Sequence, residues 1–134
     1  MVLVGINDIM GIKITPADKA FSYCVKFRDK WTCQRCGKKH EVGSKGLHCS
    51  HYWGRGRSAT RRDLQNCISL CYPCHQLWGH GDGRDEYKLF MINQLGQRAF
   101  DLLEYCSHQP FKLDEKMDRI YWEAMLEKDY HYEI

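Results

Sequence analysis

Three stretches decide how this chain reads: Cys33-Gln-Arg-Cys36-Gly37, then Leu47-His48-Cys49-Ser50-His51-Tyr52-Trp53, then Leu64-Gln-Asn66-Cys67-Ile-Ser-Leu-Cys71-Tyr-Pro-Cys74-His75. Two Cys-x-x-Cys pairs, Cys33/Cys36 and Cys71/Cys74, lie 34 residues apart. Four thiolates so spaced suit tetrahedral Zn²⁺ with Zn–S bonds of ~2.3 Å, and a closed four-cysteine shell leaves no open position, so the zinc is structural. Redox Cys-x-x-Cys pairs come singly and beside a βαβ pattern, which this chain lacks. Nested inside the frame are His51, Asn66 and His75, with fourteen residues between the first two and eight between the last two. The outer residues give a scaffold and the inner ones a candidate chemistry.

Working outward, Thr15-Pro16-Ala17-Asp18 starts a helix: Thr15 caps it, Pro16 takes the first helical position and Asp18 supplies an acid to the first turn. Ala20, Phe21, Cys24, Val25 and Phe27 continue an apolar stripe to about Asp29, and Gly37 permits a knuckle turn that aims two sulfurs at one ion. Lys45 to Trp53, bounded by glycines, reads as a strand, Gly54 to Arg62 as a loop, and Asn66 to Leu70 as a second strand. Cys71 to Trp78 reads as a helix stopped by Gly79, which completes a ββα unit. Beyond it, Asp85–Asn93 and Gln97–Cys106 read as helices divided near Gly96, and the periodicity from Leu113 to Met125 predicts a final amphipathic helix. The chain is thus one α+β domain over 1–134, with an N-terminal helix at 15–30, a zinc-bound core at 31–80 and helices over 84–134.

The 134 residues suffice for one domain with appended helices, and 43% hydrophobic content excludes wholesale disorder. No apolar run reaches the ~18–20 residues of a membrane span. The apolar opening is broken by Asp8 and Lys13 without a charged region before it, so no secretory signal is predicted. Eight cysteines without such a signal fit reduced thiols and a cytoplasmic location. Cys24, Cys49, Cys67 and Cys106, outside the pairs, read as core packing. Net charge is +3, but residues 1–112 hold 17 Lys/Arg against 10 Asp/Glu, while 113–134 hold 3 against 7. The larger part therefore favours a polyanion, and the tail does not.

Phosphodiester hydrolysis needs an activated water, stabilisation of added negative charge and help for the leaving 3′ oxygen. A neutral histidine meets the first need and a divalent cation the others. Here the residues resemble the HNH, or ββα-metal (His-Me finger), endonuclease superfamily. The resemblance implies that His51 is the general base, that Asn66 pins the loop and orients it, and that His75 binds a catalytic Mg²⁺ or Mn²⁺. It usually places Asp, Glu or His just before the base as a further ligand, where this chain has Ser50. His48, two residues earlier on the strand, is the candidate replacement, since a hydroxyl is a poor substitute for a carboxylate. A helix ligand four past His75 would fall at Gly79, so His80 is the substitute if the helix ends there. Two imidazoles favour Mn²⁺, Ni²⁺ or Zn²⁺ over Mg²⁺. His40, His108 and His131 read as surface or hydrogen-bonded residues.

Arg55, Arg57, Arg61 and Arg62 crowd the loop between the strands, beside Tyr52 and Trp53, and are candidate phosphate contacts for DNA. Residues 15–105 also resemble the NinG (Rap) recombination proteins of lambdoid phages. The likeness runs through Ala17 to Asp29, Cys33-x-x-Cys36-Gly37, Gly54-Arg-Gly-Arg-Ser58-Ala, Cys71-x-x-Cys74 and Ile92-Asn-Gln-Leu-Gly96. That family has Asn where this chain has His75. The resemblance implies cleavage of branched DNA such as Holliday junctions, by a possible homodimer. The acidic last helix is a candidate for dimerisation or for core packing. Two other readings stay open, a non-catalytic zinc module that binds DNA and an HNH nicking or packaging nuclease of ordinary duplex.

Overall fold

Thr15 begins the first helix as its sequence predicts. In the computed structural model, which describes residues 12–134, α1 spans Pro16–Arg28. The Thr15 hydroxyl accepts from the Asp18 N–H at 3.3 Å, and the Asp18 carboxylate accepts from the Thr15 N–H at 2.9 Å, a reciprocal cap. The apolar opening of the chain and its Asp8 lie outside the described residues. Helix α1 ends in a turn that composition does not announce, with Lys30 and Trp31 both left-handed at φ 56° and 52°. Each such residue costs on the order of 1 kcal/mol, which the buried Trp31 indole offsets by packing edge-on against Tyr23 and Phe27. This turn delivers the chain to Cys33. Gly37, at φ 79°, closes the knuckle through its N–H to the Cys33 carbonyl at 2.9 Å.

Strands β1 (Leu47–His51) and β2 (Cys67–Cys71) pair antiparallel, with His51 opposite Cys67 and Leu47 opposite Cys71. Every residue of β2 is buried because both faces of the hairpin are covered. Phe21 and Val25 of α1 pack on Cys67 from one side, while Trp31, Trp78, Tyr87, Met91 and Phe100 enclose Ile68 and Leu70 from the other. The sheet has two strands among the described residues, so the outer edge of β1 is open.

The link between the strands, read from sequence as a loop, contains the short helix α2 (Ser58–Arg61) and a 3-10 turn at Leu64–Asn66. Asp18 explains the added order. Its carboxylate takes two hydrogen bonds from Arg61 and one from Arg62, and Arg62 also reaches Glu115 and Asp118, each at 2.7 Å. Helix α3 (Tyr72–His75) follows β2 directly and widens into a π turn at Gln76–His80. Then come α4 (Arg84–Leu95), α5 (Gln97–Ser107) and α6 (Glu115–Tyr130), with Gly96 at φ 88° between α4 and α5. Trp122, Met125 and Leu126 of α6 lie against Ala20 and Cys24 of α1. The acidic helix thus packs on α1, and two of its acids, Glu115 and Asp118, hold Arg62. Six helices and one hairpin among the described residues make an α+β fold.

Burial alone would raise the Asp18 carboxyl, but hydrogen bonds from Arg61, the Thr15 N–H and Arg62 outweigh it and hold the pKa at about 2, against an ordinary 3.8. A carboxyl depressed on folding adds stability above its unfolded pKa and loses it as pH falls through the folded one. Asp18→Asn is expected to cost about 3–5 kcal/mol near neutral pH, since the buried Arg61 guanidinium loses its carboxylate while Arg62 keeps Glu115 and Asp118. About 2 kcal/mol of that is the titrating part. Melts at saturating zinc between about pH 6 and 8 keep the thiolates on their ion and should show the whole gap, unchanged with pH, because the carboxyl is ionised there in both the folded and the unfolded chain. A gap below about 1 kcal/mol would mean that Arg61 and Arg62 need no partner in Asp18.

Candidate metal centres and a basic cleft

The knuckle and the β2–α3 junction bring Cys33, Cys36, Cys71 and Cys74 together, with all four sulfurs within 4.8 Å of one another and no disulfide among the described residues. The Cys36 and Cys71 sulfurs are 3.7 Å apart. A tetrahedron with ~2.3 Å bonds has edges of ~3.8 Å, so the group fits a tetrahedral ion. The Arg35 guanidinium donates to the Cys74 sulfur at 3.5 Å and the Cys36 N–H to the Cys33 sulfur at 3.4 Å, contacts that favour thiolates over thiols. These four residues can hold a structural metal ion.

An open cleft of about 520 Å³ runs along the free edge of β1. Helix α1 forms one wall and the α3–π segment the other, and His48, His51, His75 and His80 all line it. His51 closes β1 next to Phe21, and its Nε2 lies 3.0 Å from the Arg61 carbonyl oxygen. A carbonyl only accepts, so Nε2 carries the proton and the ring's lone pair sits on Nδ1. Burial, then the charge of Arg55, pushes the imidazole down to about 4, so it is neutral at physiological pH.

Asn66 is fully buried and fixes the chain around His51. Its amide donates to the Trp53 and Thr60 carbonyls at 2.8 and 3.0 Å, and its Oδ1 accepts from the Trp53 N–H at 2.8 Å. One side chain thus ties both ends of the inter-strand link, including the turn that carries the Arg61 carbonyl.

His48 and His75 meet across the cleft with their Nδ1 atoms 2.9 Å apart. Without an ion this is an N–H···N bond between neutral rings. The same separation matches the ~3.0 Å between adjacent ligands of an octahedral ion bound at ~2.1 Å. Burial, then the neighbouring His48 and His80, pushes His75 down to about 4.

The sequence predicts a helix stop at Gly79, but the helical turn runs through it to His80. A π turn bonds residue i to i+5, so His80, five past His75, takes the face that a residue four past would hold in an α-helix. The His80 ring lies 5.4 Å from that of His75. Gly79 gives the His75 ring its room: an added Cβ would stand 3.0 Å from the ring and push it by a few tenths of an ångström.

Three sequence assignments are corrected. Ser50 is not a cleft residue; it is buried, and its hydroxyl bonds the Tyr87 hydroxyl at 2.9 Å. That site is closed to a catalytic ion because α4 covers the face of β1 at Ser50. Arg61 and Arg62 are not phosphate arms, since their guanidinium groups are buried and committed to Asp18, Glu115 and Asp118. Arg57 lies over the Trp53 ring and donates to His108 at 2.9 Å, and Arg55 lines the cleft.

Sequence reading passed over Lys26 and Lys45, which line the cleft with Arg55. Lys26 projects from α1, where a helix-stripe reading records a polar position and nothing more. Asp18 is the one carboxylate on the cleft wall among the described residues, and its charge is spent on arginines. The cleft is therefore net basic. No helix among the described residues is long and apolar enough to cross a membrane. Comparisons with family models, curated proteins and solved structures return no match for this chain.

Proposed function

We propose that this protein is a metal-dependent DNA endonuclease of the HNH (ββα-metal) kind, with structural Zn²⁺ on the four cysteines and branched DNA as its substrate. The observation that carries the reading is the 3.0 Å contact of the His51 Nε2 with the Arg61 carbonyl, from which the ring's tautomer follows. A ring with Nε2 tied to a carbonyl and a lone pair on Nδ1 is a fixed proton acceptor. It lines the same cleft as the paired His48 and His75.

In this reading His51 takes the proton of the attacking water, and Asn66 positions His51 by holding the Arg61 turn. A divalent ion on His48 and His75, with His80 beside them, would polarise the phosphate and stabilise the leaving oxygen. Two imidazoles and no carboxylate favour Mn²⁺ over Mg²⁺. Lys26, Lys45 and Arg55 hold the phosphate backbone. An anionic phosphate beside His51 raises its depressed basicity, so the base strengthens when substrate binds. Preference for branched DNA rests on the NinG resemblance.

The test is cleavage of a labelled four-way junction and a matched linear duplex with Mg²⁺ or Mn²⁺. Junction-selective cutting supports the full reading. Equal cutting of both keeps the nuclease and replaces recombination with a duplex-nicking or packaging role. Binding without cutting under either metal turns the protein into a non-catalytic zinc module. Gly79→Ala gives a sharper check on His75: apparent Mn²⁺ affinity, read from the metal dependence of cleavage, is expected to fall ~10–100-fold. The melting temperature should hold or rise, since alanine favours the helix. An unchanged metal dependence would remove His75 from the shell.

A further inference from the structure

We propose that Cys49, His51 and Cys67 form a second metal site, separate from the four-cysteine centre, which takes a thiophilic divalent cation such as Zn²⁺ and so occupies His51. One ligand atom from each lies within 4.8 Å of the other two. The ladder builds this arrangement. Cys49 and His51 are two apart on β1 and share its α1-facing side, while Cys67 is the direct partner of His51 on β2. The site continues the cleft: Cys49 and His51 line it, whereas Cys67 is sealed beneath them against Phe21 and Val25. An ion entering from the cleft meets Cys49 and His51 first.

The donor set selects the ion. Two sulfurs and an imidazole match a three-ligand zinc shell with one position open to water, and they exclude Mg²⁺, which prefers oxygen. The bond from Nε2 to the Arg61 carbonyl orients His51 as metal-bound histidines are oriented, with the lone pair on the other nitrogen. On binding, the two thiols release their protons to solvent and the neutral ring adds none. Core packing accounts for Cys67, which is 1% exposed, whereas Cys49 packs on the same cluster and also faces the cleft.

The consequence for activity rests on the reading of His51 as base: zinc that supports the fold at one centre inhibits at the other. Two measurements separate the claims. Reduced protein carrying one equivalent of zinc is titrated with Co²⁺, and thiolate-to-cobalt charge-transfer absorption is recorded. Wild type is expected to gain such a band for an additional equivalent, His75→Ala to keep it, and Cys49→Ala to lose it while retaining its zinc and its cooperative melt. Cleavage is then followed against added Zn²⁺, each protein relative to its own uninhibited rate. The half-inhibiting concentration should rise at least ~10-fold in Cys49→Ala. No additional band in wild type, or a band that survives in Cys49→Ala, overturns the site whether or not the protein cuts DNA. A site present without zinc inhibition overturns the regulatory consequence alone.

Discussion

Cys36→Ser is expected to unfold the protein or strip most of its stability, although Cys36 is an exposed residue. A surface substitution that disturbs nothing else ordinarily changes stability by no more than ~0.5 kcal/mol. Serine preserves the backbone N–H that Cys36 gives to the Cys33 sulfur. Packing therefore predicts almost no effect, and only loss of a metal ligand predicts a large one. The scale follows from the centre's place in the fold. Cys33 and Cys36 lie just beyond the left-handed turn that ends α1, Cys71 closes β2 and Cys74 lies in α3. An ion held there would join three elements that otherwise meet through a small core. Structural zinc in small domains supplies ~10–16 kcal/mol of apparent folding free energy, as much as the ~5–15 kcal/mol net stability of a typical domain. Chelation under reducing conditions should likewise abolish the cooperative melt seen by circular dichroism, and readdition of one equivalent of Zn²⁺ should restore it. A Cys36→Ser melt within ~0.5 kcal/mol of wild type would end the structural-metal reading.

The metal frame was legible because thiolate spacing is itself a geometric constraint: Cys-x-x-Cys turned by Gly37 has few conformations, and two such turns define an ion-sized gap. The start of α1 was legible for the same reason, since Thr15, Pro16 and Asp18 each satisfy a specific backbone need at a helix end. What failed were judgements that depend on partners distant in sequence. Arg61 and Arg62 look like Arg55 and Arg57 in a glycine-rich loop, and nothing local says that Asp18, Glu115 and Asp118 will claim them. Ser50 follows the strand alternation correctly, but α4 covers that face with Tyr87, 37 residues away. The π turn is the subtler case. Gly79 reads as a helix stop, yet its missing side chain makes room for the His75 ring, and the helix widens past it to carry His80 round. Lys26 was invisible because a cleft cation on a helix has the same pattern as a solvated one.

His51→Ala is expected to slow DNA cleavage by ~10²–10⁴, the usual contribution of a positioned general base. Junction affinity should stay within a few-fold of wild type, because Lys26, Lys45 and Arg55 remain on the cleft wall. Loss of rate alone would not separate catalysis from structure, since His51 is largely buried and anchors the Arg61 carbonyl. Chemical rescue does separate them. Truncation leaves room in the cleft for a small base, and added imidazoles should restore part of the rate in order of their basicity. A merely structural histidine gives no such order. His75→Ala should differ in kind, raising the metal concentration needed for half-maximal rate. In the double variant the two losses should fall well short of multiplying, because a base and a metal site that act on one water fail as a unit. If His51→Ala cuts as fast as wild type, the base lies elsewhere and the tautomer argument fails. If the rate falls but no imidazole restores it, while the melt shifts by several degrees, His51 is a strut for the Asn66 link. The cleft is then a DNA-binding groove whose chemistry comes from other residues.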